Sequence, residues 1–298
     1  MNIVFCCDNN YLEISKIMIT SFLENHKNQT HNIYCVFDEI EEEKISDYCK
    51  YLLNYYTTKL IPIKIDSSIF DKCITKAYFT KAMYYRFLLP EMINEDKCLY
   101  LDCDIIINSD ISELYNSDIS EFYLSAIEDS NSTDFEYLFK KWDLPNNIYF
   151  NSGVLLLNLK KLRSEVQLKD YFNILENSLN VIKYPDQDVL NIICYNKVLY
   201  MEPTKFNRMS FNHEILNKSE YQSLLKQCKI YHFCGSEKPW QYTFHGKTKK
   251  VFDFYKKIYL TNNQSENKGS LREKIVFSFK KLFSKAMLKW LLKKFKLM

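Results

Sequence analysis

The first half of the chain alternates short apolar runs, rich in β-branched and aromatic residues, with longer segments whose apolar residues recur at helical spacing. Strands that alternate with helices in this way form a mainly parallel sheet with helices on both faces. The predicted strands cover residues 3–7, 33–37, 60–65 and 98–101, and the predicted helices cover residues 12–24, 41–55 and 76–89. The sequence therefore predicts an α/β fold, in which ligands bind beyond the carboxyl ends of the strands.

Only four of the 298 residues are glycine, which excludes two common ways of binding a nucleotide. Neither a phosphate loop of the G-x-x-x-x-G-K type nor a G-x-G-x-x-G fingerprint can be built from them. Negative charge on a ligand would have to be met by a metal ion, by Lys or Arg side chains, or by helix N-termini. An apolar content of 47% is ample for the core of one large domain, which we assign to residues 1–260.

Two carboxylates, Asp102 and Asp104, directly follow the apolar strand predicted at residues 98–101. Carboxylates on the rim of a buried strand are costly unless they are solvated, paired or bound to a cation, and hard divalent ions prefer oxygen ligands. A later segment adds an imidazole, His232, and an ammonium group, Lys238, six residues apart. Together these residues indicate a metal-assisted diphosphate site. Asp-x-Asp alone is a weak motif, and two solvated aspartates are the alternative.

Two other segments place polar residues beside apolar runs. A strand predicted at residues 122–127 is followed by Glu128 and Asp129, and the apolar run 149–158 contains the corner Asn151-Ser152-Gly153. Because glycine has no side chain, a backbone can approach a ligand closely there. A purely structural turn is the alternative.

A helix is predicted to begin at Pro185, with acidic residues in its first turn as the helix dipole favours. Capping alone would explain Asp186 but explains Gln187 and Asp188 less well. A further strand predicted at residues 229–233 delivers His232 near its end.

The ten cysteines include no C-x-x-C pair, and Cys6 and Cys7 lie inside a strand-like run where a disulfide framework would be awkward. The chain starts directly as a strand, without a secretory signal, and no apolar run approaches the ~20 residues of a membrane span. We therefore expect a reducing, cytoplasmic environment.

Four segments, in this order, resemble the motifs of the family 8 retaining glycosyltransferases. The resemblance is strongest to the bacterial lipooligosaccharide α-galactosyltransferases and glucosyltransferases, with glycogenin a more distant relative, and it covers residues 1–255. Each motif alone is weak, but the ordered set is highly specific. The segments are Phe5-Cys6-Cys7-Asp8-Asn9-Asn10-Tyr11, Leu99-Tyr100-Leu101-Asp102-Cys103-Asp104, Phe150-Asn151-Ser152-Gly153-Val154-Leu155-Leu156-Leu157-Asn158 and His232-Phe233-Cys234-Gly235-Ser236-Glu237-Lys238-Pro239-Trp240, with Asp186-Gln187-Asp188 between the last two.

The resemblance implies a GT-A fold, in which a nucleotide-binding α/β domain is fused to an acceptor-binding region and uses a UDP-sugar held by Mn²⁺. It implies that Asp102, Asp104 and His232 are the metal ligands. An O, O, N ligand set suits Mn²⁺, which accepts imidazole more readily than Mg²⁺ does. Cys103 occupies the variable middle position of the motif, and we expect its side chain to point away.

The resemblance also implies the contacts to the donor. Tyr11 is suited to stack on uracil, although a packed surface aromatic is the alternative. An arginine on the otherwise apolar helix at residues 76–89 would be expensive to bury without an anionic partner. The implied donor contacts are Asp8, Asn10 and Tyr11 for uridine, Arg86 and Asn151 for the donor sugar or diphosphate, and Gly235 and Lys238 for the diphosphate, together with Asp102 and Cys103 of the metal-binding segment.

The implied reaction moves a hexose, galactose or glucose, from UDP to a glycan acceptor with retention of configuration. The metal, Lys238 and Arg86 would stabilise the negative charge on the departing diphosphate. Gln187 matches the family position facing the sugar opposite UDP. Since an amide is a poor nucleophile, we expect same-face attack through a short-lived oxocarbenium-like ion pair. Gln187 would stabilise this ion pair, and Asp188 and Asp129 would hold sugar hydroxyls, although Glu128 beside Asp129 leaves open which carboxylate acts.

Positive charge is concentrated at the end of the chain. Residues 271–298 contain nine Lys or Arg and one Glu, a formal charge of +8, which leaves −5 for the other residues. The polar segment 261–270 predicts a linker. Apolar tail residues recur at three- and four-residue steps between lysines, which predicts an amphipathic helix on an anionic membrane surface. A helix packed against the body is the alternative, and apolar interleaving disfavours nucleic acid. The enzyme would then sit on the cytoplasmic face of the inner membrane, near a lipid-linked acceptor such as lipooligosaccharide.

Two other classes of function compete with this prediction. A phosphohydrolase or phosphotransferase could use Asp102 as a nucleophile, but such enzymes place the pair near the start of the domain. A non-catalytic protein that binds sugar nucleotides or membranes would not need Asp102, Asp104, His232 and Lys238 together. The donor sugar, the acceptor and the linkage stay open at this point.

Overall fold

The computed structural model describes residues 1–27, 29–75, 80–129, 135–145 and 148–264. Within these ranges the strands are β1 Asn2–Cys6, β2 Asn32–Phe37, β3 Leu60–Lys64, β4 Lys97–Leu101, β5 Ile105–Ile107, β6 Leu124–Glu128, β7 Phe150–Asn158, β8 Val198–Met201, β9 Arg208–Met209 and β10 Ile230–His232. The α-helices are α1 Leu12–Asn25, α2 Glu42–Tyr56, α3 Leu89–Met92, α4 Ser112–Tyr115, α5 Glu136–Lys141, α6 Leu159–Glu165, α7 Leu168–Asn177, α8 Pro185–Ile193, α9 Pro203–Phe206, α10 Lys218–Gln227 and α11 Lys249–Gln264.

Seven strands form the main sheet in the order β3-β2-β1-β4-β7-β6-β8. Every neighbouring pair is parallel except the two that involve β7, which runs antiparallel to both β4 and β6. Core side chains cover both faces: Leu99 and Leu101 of β4 belong to one buried layer, and Cys98 and Tyr100 to the other. A strand buried on both faces has a continuous apolar sequence, so these strands were recognisable. The predicted α/β fold with a mainly parallel sheet is confirmed.

Strand order brings three predicted motifs to one edge of this sheet. β1 and β4 are parallel neighbours, with Ile3 opposite Leu99, so the residues after both strands lie at the same edge. Because β7 is antiparallel to β4, its first residues lie there too, and the amide of Asp102 donates to the carbonyl of Gly153 at 2.8 Å.

A second sheet of three strands, in the order β5-β10-β9, brings His232 to the same edge. β5 starts directly after Asp104, and β10 pairs with it antiparallel so that His232 faces Ile105. The amide of Phe233 donates to the carbonyl of Asp104 at 3.1 Å. On the other side, β9 runs parallel to β10, with Met209 opposite His232. The register of these short strands therefore fixes the imidazole beside the two aspartates.

The helix predicted at residues 76–89 differs from the described structure. Residues 76–79 lie outside the described ranges, and Lys81–Leu88 forms a 3-10 helix that leads into α3. Most side chains of this segment are buried, including Arg86, so apolar spacing could not define one face and one helix type. In a 3-10 helix, residues three apart line up, and the Nε of Arg86 donates to the carbonyl of Met83 at 3.0 Å.

The predicted start of the linker, residue 261, is wrong, because helix α11 continues beyond it. It continues to Gln264, so residues 261–264 are helical. Tyr259 donates to Glu13 at 2.8 Å and Asn262 donates to Tyr56 at 3.1 Å, which holds this end of the helix against α1 and α2. The rest of the predicted linker and the predicted tail, 271–298, lie outside the described residues.

In the part of the chain that the structure describes, no helix has both the length and the apolar character needed to cross a membrane. All ten cysteines lie within the described ranges, and each has a free thiol.

Candidate active site

A cavity of about 440 Å³ lies at the edge of the main sheet where the polar motifs meet, a volume typical of small-molecule sites. Most of the predicted site residues line it. They are Asp8, Tyr11, Arg86, Asp102, Cys103, Asp104, Asp129, Asn151, Gln187, His232, Gly235 and Lys238. Two other predicted residues, Asn10 and Asp188, are not part of the lining.

Three of these side chains could hold a metal ion. One ligand atom from each of Asp102, Asp104 and His232 lies within 4.8 Å of the others. The imidazole Nε2 is 3.7 Å from Oδ2 of Asp102 and 3.3 Å from Oδ1 of Asp104. Two carboxylates and one imidazole therefore converge on a common point, as expected from the sequence.

The second oxygen of each aspartate is held by other groups. Oδ1 of Asp102 accepts from Arg86 at 2.9 Å and from the hydroxyl of Tyr100 at 2.7 Å. Oδ2 of Asp104 accepts from Lys238 at 2.6 Å. Each carboxylate is thus fixed on one side, and its remaining oxygen is directed at His232.

The charges around Asp104 reinforce one another. Burial by itself would raise the pKa of Asp104, but Lys238 and His232 lower it well below its usual range. Burial would lower the pKa of Lys238, and Asp104 raises it instead. Burial opposes protonation of His232 too, yet Cys234 and Asp104 raise its pKa well above the usual value. The carboxylate of Asp104 therefore stays ionised and favours positive charge at its neighbours.

Gly153 makes room for the imidazole. A Cβ at this position would lie 2.2 Å from Cε1 of His232 and 2.8 Å from Oδ2 of Asp102. Any larger residue would displace two of the three candidate metal ligands. The corner that the sequence indicated as a place of close approach therefore accommodates the site's own side chains.

Arg86 is 7% exposed and lies between two carboxylates. It contacts Asp102 at 2.9 Å and Asp186 at 3.1 Å, donates to the carbonyl of Ser152 at 2.8 Å, and its guanidinium lies 4.3 Å from the centre of the Tyr100 ring. Although burial disfavours the charge, these neighbours raise the pKa of Arg86. Burial raises the pKa of Asp186, and Arg86 opposes this rise. The anionic partners that a buried arginine requires are thus present in the chain.

Gln187 and Asp129 lie together on another wall of the cavity. Oε1 of Gln187 accepts from the backbone amide of Ser152 at 2.8 Å, and its Nε2 donates to Oδ2 of Asp129 at 3.3 Å. Asn151 donates to the same oxygen of Asp129 at 3.4 Å. Glu128 is exposed and does not line the cavity, so Asp129 is the carboxylate of this pair that faces the site.

Asp188, which is expected to hold sugar hydroxyls, does not line the cavity. Asp188 is fully buried, and its carboxylate accepts from Tyr149 and from the amides of Lys183 at 2.8 Å and Tyr184 at 3.2 Å. Its role in the described structure is to hold the start of α8. Asp186, whose place in the sequence helix capping alone would explain, lies in the cavity wall.

The predicted uridine side is formed by the turn after β1. Asp8 accepts from the amides of Asn10 at 2.9 Å and Tyr11 at 3.1 Å, which fixes the start of α1. Asn10 itself is exposed and outside the cavity lining, so its expected contact with uridine stays a prediction. Tyr11 meets Trp240 edge to face at 5.9 Å, and burial raises the pKa of Tyr11 to about 12.

The thiol of Cys103 donates to the carbonyl of Cys6 at 3.3 Å, so it is engaged with the backbone of β1. Sequence reasoning missed Tyr100, two residues before Asp102, and Asn207, which contacts His232 at 3.0 Å. Asn207 lies 25 residues before His232 in the sequence, so no local motif connects the two.

Comparison with known proteins identifies the family. The family model described as Glycosyl transferase family 8 matches residues 2–244. The chain belongs to glycosyltransferase family 8. General stress protein A of Bacillus subtilis is 28% identical over 264 residues, which cover 80% of this chain and 87% of that protein.

Two other relatives of this family 8 chain have more specific names. Lipopolysaccharide 1,2-glucosyltransferase of Escherichia coli K12 is 26% identical over 292 residues, covering 95% of this chain and 84% of that protein. Lipopolysaccharide 1,3-galactosyltransferase of Salmonella typhimurium is 27% identical over 249 residues, covering 80% of this chain and 72% of that protein.

The structural comparison agrees with the family assignment. A crystal structure of an active-site mutant of LgtC superimposes with a TM-score of 0.76 at 25% identity and covers 87% of this chain and 96% of that one. The predicted family 8 resemblance and the GT-A fold are therefore confirmed.

The contact between Gly153 and His232 can be tested by a double-mutant cycle in the presence of a chelator. Since the φ of Gly153 is not positive, alanine suits its backbone, and overpacking against the imidazole should cost about 1–3 kcal/mol in free energy of unfolding. In the His232→Ala background the same substitution should cost at least about 1 kcal/mol less. Urea denaturation measures both values. An equal cost in the two backgrounds would contradict the described packing.

Proposed function

We propose that this family 8 glycosyltransferase is a retaining hexosyltransferase that moves galactose or glucose from a UDP-sugar to a glycan acceptor with the help of Mn²⁺. The observation that carries the proposal is the convergence of Asp102, Asp104 and His232 on one point, with the cations Arg86 and Lys238 directly behind the two carboxylates. Metal ions and positive side chains both stabilise the charge on a diphosphate, and this cavity places a candidate metal site beside two cations.

The chemistry of the donor set fits a divalent cation. Two carboxylate oxygens and one imidazole nitrogen suit Mn²⁺, with Mg²⁺ as the less suitable ion. When His232 is neutral, Asp102, Asp104 and Asp186 carry three formal negative charges against two positive charges on Arg86 and Lys238, so a divalent cation would replace the positive charge that Asp104 favours on the metal-free imidazole. When bound, the ion would supply neutralisation of the charge that develops on the leaving diphosphate.

Lys238 and Arg86 would stabilise the leaving group from the protein side. Lys238 is 6% exposed, lines the cavity, and uses Asp104 and the carbonyl of Phe233, 2.8 Å away, as partners, which leaves one of its three donors for a phosphate oxygen. Arg86 fixes Asp102 and Asp186. Gly235, with φ of +83°, allows the chain between His232 and Lys238 to turn beside the cavity.

Gln187 and Asp129 would act on the sugar. The backbone amide of Ser152 holds the carbonyl of the Gln187 side chain, and Asp129 holds its amino group, so the amide is fixed as an oriented dipole. A fixed amide suits stabilisation of an oxocarbenium-like ion pair better than nucleophilic attack. We therefore favour same-face attack by the acceptor, with Asp129 and Asn151 as contacts to sugar hydroxyls and Asp188 acting through the start of α8.

At the nucleotide end, Asp8 and Tyr11 would contact uridine, supported by their place in the cavity lining and by the packing of Tyr11 on Trp240. Asn10 stays in the proposal as a rim contact that would form only with the donor bound. Cys103 would contribute through its backbone, since its thiol is bonded to the carbonyl of Cys6.

For the acceptor we propose lipooligosaccharide or another lipid-linked cell-surface glycan. Two relatives are named lipopolysaccharide glucosyltransferase and galactosyltransferase, which supports a glycan of that class. We also propose that the basic segment 271–298, with its formal charge of +8, attaches the enzyme to the cytoplasmic face of the inner membrane. Such attachment would bring the cavity close to a lipid-linked acceptor.

The most direct activity test is hydrolysis of a panel of UDP-sugars without acceptor. UDP-galactose or UDP-glucose should be hydrolysed with Mn²⁺, and EDTA should abolish the reaction. Asp102→Asn and Asp104→Asn should each lower the rate by about 10²-fold or more, because each removes a charged ligand. Asp253→Asn, at an exposed position of α11, is the matched control and should retain the wild-type rate. Full activity in EDTA would exclude the proposed metal dependence.

Substitutions of Gln187 and Lys238, which lie on different walls of the cavity, should affect turnover and UDP binding differently. Gln187→Ala should lower kcat about 10²-fold and leave the Kd of UDP unchanged within about twofold, because its proposed partner is the sugar. Lys238→Ala should also raise the Kd of UDP, by about tenfold, since a charged contact to the diphosphate is lost. Isothermal calorimetry with UDP separates the two effects. The reverse pattern would refute the proposed placement of donor and sugar.

A further inference from the structure

A chain of buried amide groups connects the candidate metal site with the wall that carries Gln187. Nδ1 of His232 lies 3.0 Å from Oδ1 of Asn207, and Nδ2 of Asn207 donates to Oδ1 of Asn151 at 2.9 Å. Asn151 then donates to Asp129, which also accepts from Gln187. Asn207 is 1% exposed and Asn151 is 7% exposed, so water does not compete freely for these bonds.

The direction of every bond in this chain is fixed by a backbone group. The amide of Gly153 donates to Oδ1 of Asn151 at 3.0 Å, and a backbone N–H can only donate. The atom of Asn151 at this point must therefore be its carbonyl oxygen. The atom of Asn207 that faces the same oxygen must then be its amino group, which turns the carbonyl oxygen of Asn207 toward His232.

This direction determines that Nδ1 of the His232 ring carries a proton. Because Oδ1 of Asn207 can only accept, Nδ1 of His232 must carry a proton. When the ring is neutral, as a metal ligand must be, its lone pair therefore lies on Nε2, the atom that faces Oδ1 of Asp104 at 3.3 Å and Oδ2 of Asp102 at 3.7 Å. The tautomer that a metal requires at Nε2 is thus set from the opposite side of the ring.

The other end of this series of hydrogen bonds orients Gln187 and Asp129, the residues proposed to act on the sugar. The backbone amide of Ser152 fixes the carbonyl oxygen of Gln187, so the amino group of Gln187 must face Asp129. Asn151 and Gln187 consequently donate to the same oxygen of Asp129, at 3.4 and 3.3 Å. One connected set of bonds therefore orients a metal ligand and the proposed sugar contacts together.

We propose that Asn207 is a positioning residue of this enzyme: its carbonyl holds the Nδ1 proton of His232 and so presents Nε2 to the metal, while its amino group orients Asn151 and, through it, Asp129. The inference rests on the proposed metal-dependent transfer, but the hydrogen bond to His232 exists without metal or donor and can be observed on its own.

The first experiment looks for that proton. Nitrogen-15 NMR of the metal-free wild-type protein should show a slowly exchanging imidazole Nδ1–H, assigned to His232 by its absence in His232→Gln. Asn207→Leu is close to isosteric and removes the acceptor, so this signal should be lost or exchange rapidly. Asn207→Asp keeps an acceptor and should retain it. A wild-type protein without the protected proton would overturn the proposal.

The second experiment measures Mn²⁺ binding in the presence of UDP by the EPR signal of free Mn²⁺. Loss of an outer partner of a metal-bound histidine typically costs 10–100-fold in metal affinity, so Asn207→Leu should raise the Kd of Mn²⁺ by this factor. Asn207→Asp should stay within about threefold of the wild type. It should still lower kcat, because its second oxygen cannot donate to Asn151.

Asn191→Ala is the matched control. Asn191 is also a buried asparagine, 3% exposed, but its hydrogen bonds go to the backbone of Phe150 and to the backbone carbonyl of Gln187, and none of them goes to the three candidate metal ligands. It should lower the free energy of unfolding and leave the Kd of Mn²⁺ unchanged. If folded Asn207→Leu bound Mn²⁺ with the same Kd as the wild-type protein, the proposed role of Asn207 would be overturned. If instead the wild-type protein bound no Mn²⁺ but showed the protected proton, the metal proposal would be overturned and the hydrogen bond would stand.

Discussion

The close approach of two carboxylates, Asp102 and Asp104, is the constraint on which the rest of the site depends. Two negative charges at the end of a buried strand repel each other and are costly to desolvate. The protein meets this cost with one cation for each carboxylate, Arg86 at 2.9 Å and Lys238 at 2.6 Å. Because each cation occupies one oxygen only, the other oxygen of each aspartate is left to face His232. The contacts that neutralise the two carboxylates therefore also direct their other oxygens toward His232.

Backbone topology supplies the rest of the geometry. β7 enters the sheet antiparallel, which brings Gly153 beside Asp102, and the register of β5 and β10 brings His232 beside Asp104. The missing side chain of Gly153 leaves the space that the imidazole fills. From that point the hydrogen bonds through Asn207 and Asn151 connect the candidate metal site with Asp129 and Gln187. Charge balance, strand register and hydrogen-bond direction thus together fix the side-chain positions of Asp102, Asp104 and His232.

The sequence predicted the parts of this arrangement that depend on local pattern. Strands buried on both faces have continuous apolar runs, so five of the seven strands of the main sheet were predicted as strands and β7 was noted as an apolar run, whereas β8 was missed. β5, β8 and β9 have two to four residues, too few for any periodicity. The predicted ligands Asp102, Asp104 and His232 follow from an ordered set of motifs. Asp186 and Asp188 could not be distinguished in this way, since the rotation of α8 decides which of them faces the cavity. Asn207 has no motif, and only the pairing of β9 with β10 brings it to the imidazole.

The central claim, that Asp102, Asp104 and His232 form a metal centre for a UDP-sugar, is tested most directly by anomalous diffraction at the manganese edge from crystals grown with Mn²⁺ and UDP. The account predicts one strong peak at bonding distance from Oδ2 of Asp102, Oδ1 of Asp104 and Nε2 of His232, with diphosphate oxygens completing the coordination. Absence of a peak there, or a peak that does not contact His232, would contradict it.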